Sequence, residues 1–360
     1  MLEFVIVKRR LVQLAFVLIV LALIGGAAAL YVVDQPYKGY SGEEVFVEIP
    51  PGSGVGAIGR RLIEAGVLRN DATFRLAMRL YGQGRTLKAG EYRFTDAQPP
   101  SAIIDRIARG DVFLRPMTFP EGLTLREMAA VFEQRGFGAA RAFLDAARDA
   151  SAVREVDPRA DDLEGYLFPE TYALPRSVKA GDLVRQMATR FVSIYSADLR
   201  QEAEKRGMTT RQVVTLASLI EKETARGDER PLVSAVYHNR LRIGMGLQCD
   251  PTVIFALQRA GKYDGNLTRE DLRFDSPYNT YRYAGLPPGP IAAPGRASIE
   301  AALRPANVEY LYFVSRNDGS HVFASSLAEH NRNVQEFQVK YFRERRLSRQ
   351  ANGTSRQRGE

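Results

Sequence analysis

An unbroken apolar stretch near the N-terminus, residues 11–33, carries no charged side chain and one strongly polar one, Gln13. Because about 20 apolar residues in a helix span the hydrocarbon core of a bilayer, this stretch predicts a transmembrane helix. A cleaved signal peptide usually has a shorter apolar region, and no convincing small-residue cleavage site precedes Asp34. We therefore favour a retained membrane anchor over a signal peptide.

The charges beside this segment predict how it crosses the membrane. Lys8, Arg9 and Arg10 precede it, whereas Asp34 follows it. Since cytoplasmic flanks are enriched in Lys and Arg, residues 1–10 are predicted to be cytoplasmic and the remainder extracytoplasmic, or periplasmic. The predicted location is the cytoplasmic (inner) membrane, with a single span. Nucleic acid is a poor partner for such a chain, despite the net charge of +8.

Residues 34–44 form a short polar linker, after which one sequence pattern occurs twice. The pattern begins at 47–52 and again at 117–122, and both copies contain a Pro followed two residues later by a Gly. Each copy predicts a strand, a turn, an amphipathic helix and a glycine stop, at Gly66 and Gly136.

The first copy continues with a predicted helix at 73–82 and a predicted strand at 90–94. This order of strand, helix, helix and strand resembles a LysM module, a small unit that binds glycans. Residues 45–112 are therefore predicted to form a LysM-like α+β subdomain. A plain α+β packing domain without a ligand is the alternative, because only a generic pattern is present.

The second copy leads into a larger mixed α+β domain, predicted to span residues 113–345. Two strands are predicted at 310–314 and 321–323, and the segment 275–294, rich in Tyr, Pro and Gly, predicts an irregular loop. Helices are predicted at 124–135, 140–149, 180–196, 198–206, 209–224, 228–242 and 327–347. The basic tail at 346–360 is predicted to be disordered.

The predicted helix at 209–224 carries a carboxylate on its apolar face. Leu216 and Ile220 recur at helical spacing, and Glu223 is the next position on that stripe. Burying a charged Glu on an apolar face costs free energy unless the group is paired or protonated. Enzymes that need a carboxylic acid at neutral pH use apolar surroundings of this kind. Glu221 lies about 200° around the helix and is expected to be solvated or ion-paired. A mis-phased helix, with Glu223 merely half-buried or salt-bridged, is the alternative.

Six separate motifs follow one another along the chain. The longest lies at 233–252, and the others are Leu163-Glu-Gly-Tyr-Leu-Phe-Pro-Glu-Thr-Tyr172, Ser276-Pro-Tyr-Asn-Thr-Tyr281, Gly285-Leu-Pro-Pro-Gly-Pro-Ile291, Tyr310-Leu-Tyr-Phe-Val314 and Glu329-His-Asn331. In this order they resemble the MltG (YceG-like) endolytic murein transglycosylase family, over most of residues 45–340. Several motifs in one order are a far stronger signal than any single motif.

The resemblance implies a lyase that cleaves MurNAc-β-1,4-GlcNAc bonds within nascent peptidoglycan strands from a membrane anchor. In such a reaction an acid protonates the leaving oxygen, and the muramyl C6 hydroxyl attacks in place of water to form a 1,6-anhydro end. One Glu can act first as the acid and then as the base, and Glu223 matches the family's catalytic position. The resemblance also implies termination of glycan elongation, with penicillin-binding proteins and other wall-synthesis proteins as partners.

Three polar residues that follow Glu223 are candidates for substrate binding: Asn239, Gln248 and Asp250. They can hydrogen-bond the hydroxyl or N-acetyl groups of a sugar, or orient Glu223. Capping and turn formation are the alternative roles, since Asp250 and Pro251 together predict a helix start.

Five further candidates lie later in the chain. Tyr278, Asn279 and Tyr281 belong to a polar-aromatic loop whose composition suits stacking against sugar rings. A rigid loop packed on the core is the alternative. His330 and Asn331 belong to the last family-like motif and are expected to line the cleft or to make a structural hydrogen bond.

Neither a metal nor another cofactor is expected. His238, His321 and His330 have no spacing typical of metal ligands, and Cys249 is the single cysteine. A thiol nucleophile is the bolder interpretation of Cys249, and a small packing residue is the favoured one.

Two other functions are compatible with the sequence. One is a non-catalytic peptidoglycan-binding scaffold for wall synthases, although such a protein has little reason to place a Glu on an apolar helix face. The other is a peptidoglycan hydrolase, for which Glu164 or Glu170 can offer a second carboxylate. Water access would decide between hydrolysis and ring closure.

Overall fold

The N-terminal apolar segment forms a long helix, α1 (Leu2–Val33), in the computed structural model, which describes residues 2–343 and 345. Its part Gln13–Val33 is long and apolar enough to cross a membrane, and almost none of it is buried within the chain. A bilayer would remove these exposed apolar side chains from water. The tail predicted to be disordered, 346–360, lies outside the described residues.

The first of two compact units comprises Met1–Pro116 and Ala173–Ser177. After α1 it contains β1 (Val45–Ile49), α2 (Val55–Glu64), α3 (Asp71–Tyr81), β2 (Gly90–Phe94) and α4 (Pro100–Arg109). The two strands are antiparallel, with Val47 opposite Tyr92. The predicted order of strand, helix, helix and strand is present, whereas α4 was not predicted. The core contains buried side chains from all these elements, among them Ile49, Ile58, Leu62, Phe74, Tyr92 and Ile104.

The repeated sequence pattern corresponds to a repeated local structure. The second copy forms β3 (Arg115–Thr118) and α5 (Leu125–Gln134), in the same order as β1 and α2. In the turn between strand and helix, Gly52 has φ 79° and Gly122 has φ 77°. Glycine enters this left-handed region without the steric penalty of a Cβ atom, which explains why both turns contain it.

The second unit comprises Met117–Tyr172 and Val178–Glu360. The elements that follow α5 along the chain are α6 (Ala140–Ala146), β4 (Thr171–Leu174), α7 (Ala180–Ile194), α8 (Ala197–Lys205), α9 (Thr210–Glu223), α10 (Arg230–Arg242), α11 (Asp250–Arg259), α12 (Arg296–Leu303), β5 (Tyr312–Ser315), β6 (His321–Ala324) and α13 (Leu327–Val334). β4 begins in the second unit, and its last two residues belong to the first. β3 pairs with β4, and β5 pairs antiparallel with β6. The predicted mixed α+β class is confirmed. The sequence did not predict α12 and β4.

The predicted final helix changes its geometry partway along. α13 ends at Val334, and Gln335–Lys340 continues as a π-helix. The side-chain amide of Asn317 donates to the carbonyl of Phe337. This contact lies inside the widened segment, where a side chain can take a helix carbonyl that a regular α-helix would use itself.

Helix α9 is buried on all sides along most of its length. A capping box formed by Thr209 and Gln212 fixes its N-terminus. Every residue from 213 to 220 is buried, because α10, α11 and α12 pack around the helix. The prediction of a single apolar stripe was therefore wrong, although the bounds of the helix were predicted to within one residue.

Candidate active site

The carboxyl group of Glu223 lies at the C-terminal end of α9, where that helix emerges from the core. Glu223 is half-buried, and its Oε1 accepts a hydrogen bond of 2.9 Å from the hydroxyl of Tyr237 on α10. Burial raises the pKa of Glu223, and hydrogen bonds from Cys249 and Tyr237 offset part of that rise. The net result is a carboxyl group that stays protonated at a higher pH than an ordinary Glu.

The two donors to Glu223 are held in their protonated forms. Tyr237 and Cys249 are both buried, and burial raises the pKa of each group well above its usual value. The hydroxyl and the thiol can therefore donate to the carboxyl over the whole physiological pH range. Cys249 thus contacts the candidate acid, beyond the packing role that its sequence context predicted.

The segment before α11 carries a strained backbone beside this carboxyl. Gln248 has φ 50°, a left-handed conformation that non-glycine residues rarely adopt, and its side chain is exposed. Its backbone N–H donates to the carbonyl of Thr280 at 3.2 Å, and that of Cys249 donates to the Thr280 hydroxyl at 3.0 Å. Such strain persists where surrounding contacts fix it, and it occurs often at functional sites.

Asp250 and Tyr281 form an exposed polar pair at the start of α11. The Tyr281 hydroxyl donates to Asp250 Oδ1 at 2.5 Å. The charge on Asp250 raises the pKa of Glu223, and the charge on Glu223 raises that of Tyr281, although burial is the largest cause for both groups. Gln248, Asp250 and Tyr281 are therefore brought together beside Glu223, and we call these three residues the polar rim. Asp250 also begins a helix, as its sequence context predicted.

Asn239 and Asn279 bind backbone groups. Both amide hydrogens of Asn239 are used, because Nδ2 donates to the carbonyls of Val308 at 2.9 Å and Tyr310 at 3.0 Å. Asn279 is fully buried, and its Oδ1 accepts the backbone N–H of Tyr281 at 3.0 Å. The two side chains thus hold segments on either side of the polar rim.

His330 and Asn331 lie on α13, and His330 packs against β5. The His330 ring stacks on Tyr312 with 5.1 Å between centroids, and its Nδ1 is buried without a hydrogen-bond partner among the described residues. Burial and the charge of Arg240 lower the pKa of His330. Asn331 is exposed.

Tyr278 lies away from the polar rim. The Tyr278 ring is tilted against that of Phe255 on α11, with 5.0 Å between the ring centroids. The Arg259 guanidinium lies 5.5 Å from the centroid of the Tyr278 ring. The loop motif at 276–281 therefore supplies Tyr281 to one end of α11 and Tyr278 to the other.

A buried carboxylate–imidazole pair lies next to the end of α9, and the sequence did not predict it. Glu229 accepts hydrogen bonds from His321, at 2.7 Å from Nδ1 and at 2.9 Å from the backbone N–H. The hydroxyl of Thr224, which follows Glu223 in the chain, donates to the same carboxylate at 3.3 Å. The charge of His321 lowers the pKa of Glu223, against the larger effect of burial. The one sequence signal for this pair was the polar residue His321 at the start of β6.

Arg240 is a second buried charge that the sequence did not single out, although it lies inside the longest motif. Its guanidinium donates to the carbonyls of Leu311 at 2.6 Å and Leu247 at 2.7 Å, and it lies 5.4 Å from the ring centroid of Tyr312. No carboxylate lies within 4.0 Å of it in the part of the chain that the structure describes. Arg240 ties the segment before Gln248 to β5.

The other carboxylates singled out in the sequence have structural partners. Glu221 is ion-paired as expected but is buried, at 3.1 Å from Arg230, and it also accepts the backbone N–H of Gly295 at 2.9 Å. Glu170 makes two hydrogen bonds to Arg190, at 2.7 and 2.9 Å. Over the described residues, no group of three or more His, Cys, Asp and Glu side chains is arranged to hold a metal ion.

Comparisons with known proteins agree on one family. A family model described as the YceG-like family matches residues 47–336. An endolytic murein transglycosylase of Bacillus subtilis is 33% identical over 328 residues, covering 86% of this chain and 90% of the relative. A protein of the same name from Streptococcus pneumoniae is 30% identical over 341 residues, and the match covers 85% of this chain but only 61% of the relative. A crystal structure of a YceG-like protein from Listeria monocytogenes has a TM-score of 0.56 at 32% identity, covering 81% of this chain and 99% of that one.

Proposed function

This chain belongs to the YceG-like family, and from that premise we propose that it is an endolytic murein transglycosylase with Glu223 as its catalytic acid and base. The observation that carries the assignment of Glu223 is its environment. Its carboxyl is half-buried, has a raised pKa and accepts a hydrogen bond from Tyr237. A carboxylic acid with a raised pKa keeps its proton to a higher pH than an ordinary Glu and can give that proton to a glycosidic oxygen.

The proposed reaction uses one carboxyl group twice. Glu223 protonates the oxygen between the two sugars as that bond breaks, and the muramyl C1 becomes cationic. The carboxylate that results then removes the proton from the muramyl C6 hydroxyl, whose oxygen bonds to C1 and closes the 1,6-anhydro ring. Tyr237 and Cys249 donate to the carboxylate in this interval and stabilise it. The negative charge of Asp250 stabilises the cationic sugar.

The polar rim is the proposed contact surface for the sugars. Gln248 and Asp250 are exposed and can hydrogen-bond hydroxyl or N-acetyl groups, while the Tyr281 ring is exposed enough to stack on a sugar face. Asn239 and Asn279 act on the substrate indirectly, by holding the backbone around the rim. His330 and Asn331 extend the surface along α13.

A membrane location completes the proposal. Gln13–Val33 of α1 would span the cytoplasmic membrane, and the three basic residues before it would keep the N-terminus in the cytoplasm. The second unit would then act outside on nascent strands, where cleavage terminates elongation by neighbouring penicillin-binding proteins.

The test is product analysis on purified glycan strands by mass spectrometry. We expect 1,6-anhydromuramyl ends and fragments from cuts within strands. Glu223→Gln keeps the side-chain volume but cannot deliver a proton, so turnover should fall about 10²–10⁴-fold while circular dichroism shows a folded protein. Reducing ends would instead identify a hydrolase, and a folded wild-type protein without any cleavage would point to a scaffold.

Glu221→Gln is the matched control on the same helix. Because Glu221 forms a buried ion pair with Arg230, this substitution should lower the free energy of unfolding by up to about 3–5 kcal/mol. The turnover of the folded fraction should stay within a few fold of the wild-type value. An active Glu223→Gln variant beside an inactive, folded Glu221→Gln variant would reverse the assignment.

A further inference from the structure

A cavity of about 350 Å³ lies at the far end of α11 from Asp250, within the second unit. Its walls come from the start of α5, the end of α6, the segment around Glu164 and the last turns of α11. Glu164 and the neighbouring Tyr278 belong to family-like motifs, yet neither touches the polar rim. The cavity is therefore a feature that the proposed catalytic reaction does not use.

Three arginines line this cavity. Arg148 is paired with Asp145 at 3.1 Å. Arg126 and Arg259 have no carboxylate within 4.0 Å among the described residues. The Arg259 guanidinium lies over Phe255 and Tyr278, at 5.7 and 5.5 Å from their ring centroids. These rings fix the plane of the guanidinium and leave its N–H groups available to a ligand.

The acidic residues of the cavity do not neutralise these arginines. Glu164 is buried, and its two oxygens accept the backbone N–H of Leu125 at 3.0 and 3.3 Å. Burial raises the pKa of Glu164 to about 8, so most of this carboxyl is uncharged at neutral pH. Asp162 is the remaining acid, and its Oδ1 accepts the backbone N–H of Glu164 at 3.0 Å. The cavity therefore carries a net positive charge.

We propose that this cavity binds a free carboxylate of the short peptides that the glycan strand carries, through Arg126 and Arg259. The inference rests on the proposed function, since murein is the source of such peptides. Planar guanidinium groups bind carboxylates with two parallel hydrogen bonds, which gives both affinity and orientation. A strand without peptides keeps only the lactyl carboxylate of each muramyl sugar, which is attached directly to the sugar and is too short to reach from the polar rim to the arginines.

The dimensions of α11 are compatible with this assignment. From Asp250 to Arg259 the helix rises by about 14 Å, at about 1.5 Å per residue. Four extended peptide residues span about 13–14 Å. A peptide attached to a muramyl sugar at the polar rim is thus long enough to place its terminal carboxylate at the arginines.

The first measurement is calorimetric titration of the full-length protein in detergent with a soluble tetrapeptide of murein composition. Wild-type protein should bind the peptide, and a double variant, Arg126→Gln with Arg259→Gln, should bind it at least tenfold more weakly. Arg75→Gln, at an exposed arginine on α3 of the first unit that does not line the cavity, serves as the control and should bind as the wild type does. Equal affinity of the wild type and the double variant, or no binding to either, would overturn the proposal without touching the proposed function.

The second measurement compares strands that carry peptides with strands from which an amidase has removed them. The double variant should show KM raised at least tenfold for peptide-bearing strands, with kcat within about twofold, and KM within about twofold of wild type for bare strands. An equal loss on both substrates would indicate a general structural role and overturn the inference. Cleavage of neither substrate by the wild type would overturn the proposed function instead, and the peptide titration would still decide the site.

Discussion

At the scale of single residues, burial and hydrogen bonds set most of the acidity of Glu223, and two opposite charges adjust it. Asp250 raises the pKa of this carboxyl, and His321, held by Glu229, lowers it. Burial, the largest effect, also raises it. Because the general acid must be protonated, activity should fall as the pH rises through the raised pKa of Glu223.

A pair of substitutions should move this alkaline limit in opposite directions. Asp250→Asn removes a negative charge and should lower the pKa of Glu223, so the alkaline limb of the profile of kcat/KM against pH shifts to lower pH. His321→Gln removes a positive charge and should shift the same limb to higher pH. The measurement is kcat/KM from pH 4 to pH 10, which reports the ionisations of the free enzyme. Shifts in the same direction for both variants would show that the limb belongs to another group.

The sequence predicted the catalytic candidate but not the contacts around it. Glu223 could be chosen because its position on the helix and the family motif agreed. Glu229 meets a residue 92 positions later, and Glu221 meets the backbone of Gly295, 74 positions later. Helical periodicity contains no information about such distant partners. The left-handed backbone of Gln248 was equally hidden, because Gln has no preference for that conformation.

At the scale of secondary-structure elements, the sequence predicted those features that depend on residues close together in the chain. The repeated Pro-x-Gly turn predicted both strand–helix units, and the helical spacing of apolar residues predicted the bounds of α9 to within one residue. The failures have a tertiary cause. α9 is covered on every side, so its burial pattern does not follow its sequence period, and α12 is a short helix beside a loop rich in Pro and Gly.

The first repeat contains two glycines, four residues apart, whose substitution by Ala should change the free energy of unfolding in opposite directions. Gly52 has φ 79° and open space around it, so Gly52→Ala should cost about 1–2 kcal/mol in the free energy of unfolding through backbone strain alone. Gly56 lies inside α2, also with open space, so Gly56→Ala should stabilise by up to about 1 kcal/mol. Urea unfolding followed by circular dichroism measures both values. A stabilising Gly52→Ala would contradict the left-handed turn.

At the scale of the whole molecule, the sequence predicted the order of anchor, smaller α+β part and larger α+β part. It did not predict that Ala173–Ser177 belongs to the first unit, although these residues follow a long segment of the second. Such a return depends on contacts between distant parts of the chain. Composition and periodicity describe only neighbours, so they do not detect it.

The stability of the molecule should depend on pH through Glu164. Its pKa is about 8 in the folded chain and near 4.5 when exposed. This group therefore stabilises the fold fully below pH 4.5, and that contribution is lost as the pH rises to 8, at about 1.4 kcal/mol per pH unit. Glu164→Gln should remove this slope from the free energy of unfolding measured between pH 5 and pH 8. An unchanged slope would show that Glu164 ionises normally in the folded protein.

The anchor should determine location without shaping the catalytic site. The residues that follow α1 are bound to the first unit by their own contacts, since Tyr37 donates its backbone N–H to Gln98 at 3.2 Å and Gly39 donates to Gly66 at 2.8 Å. A fragment of residues 34–345 should therefore stay folded. Because Glu223 and the polar rim lie in the second unit, its kcat/KM on soluble strands should remain within about threefold of the full chain, measured in the same detergent. A fragment that is folded by circular dichroism yet inactive would show that α1 contributes to the chemistry.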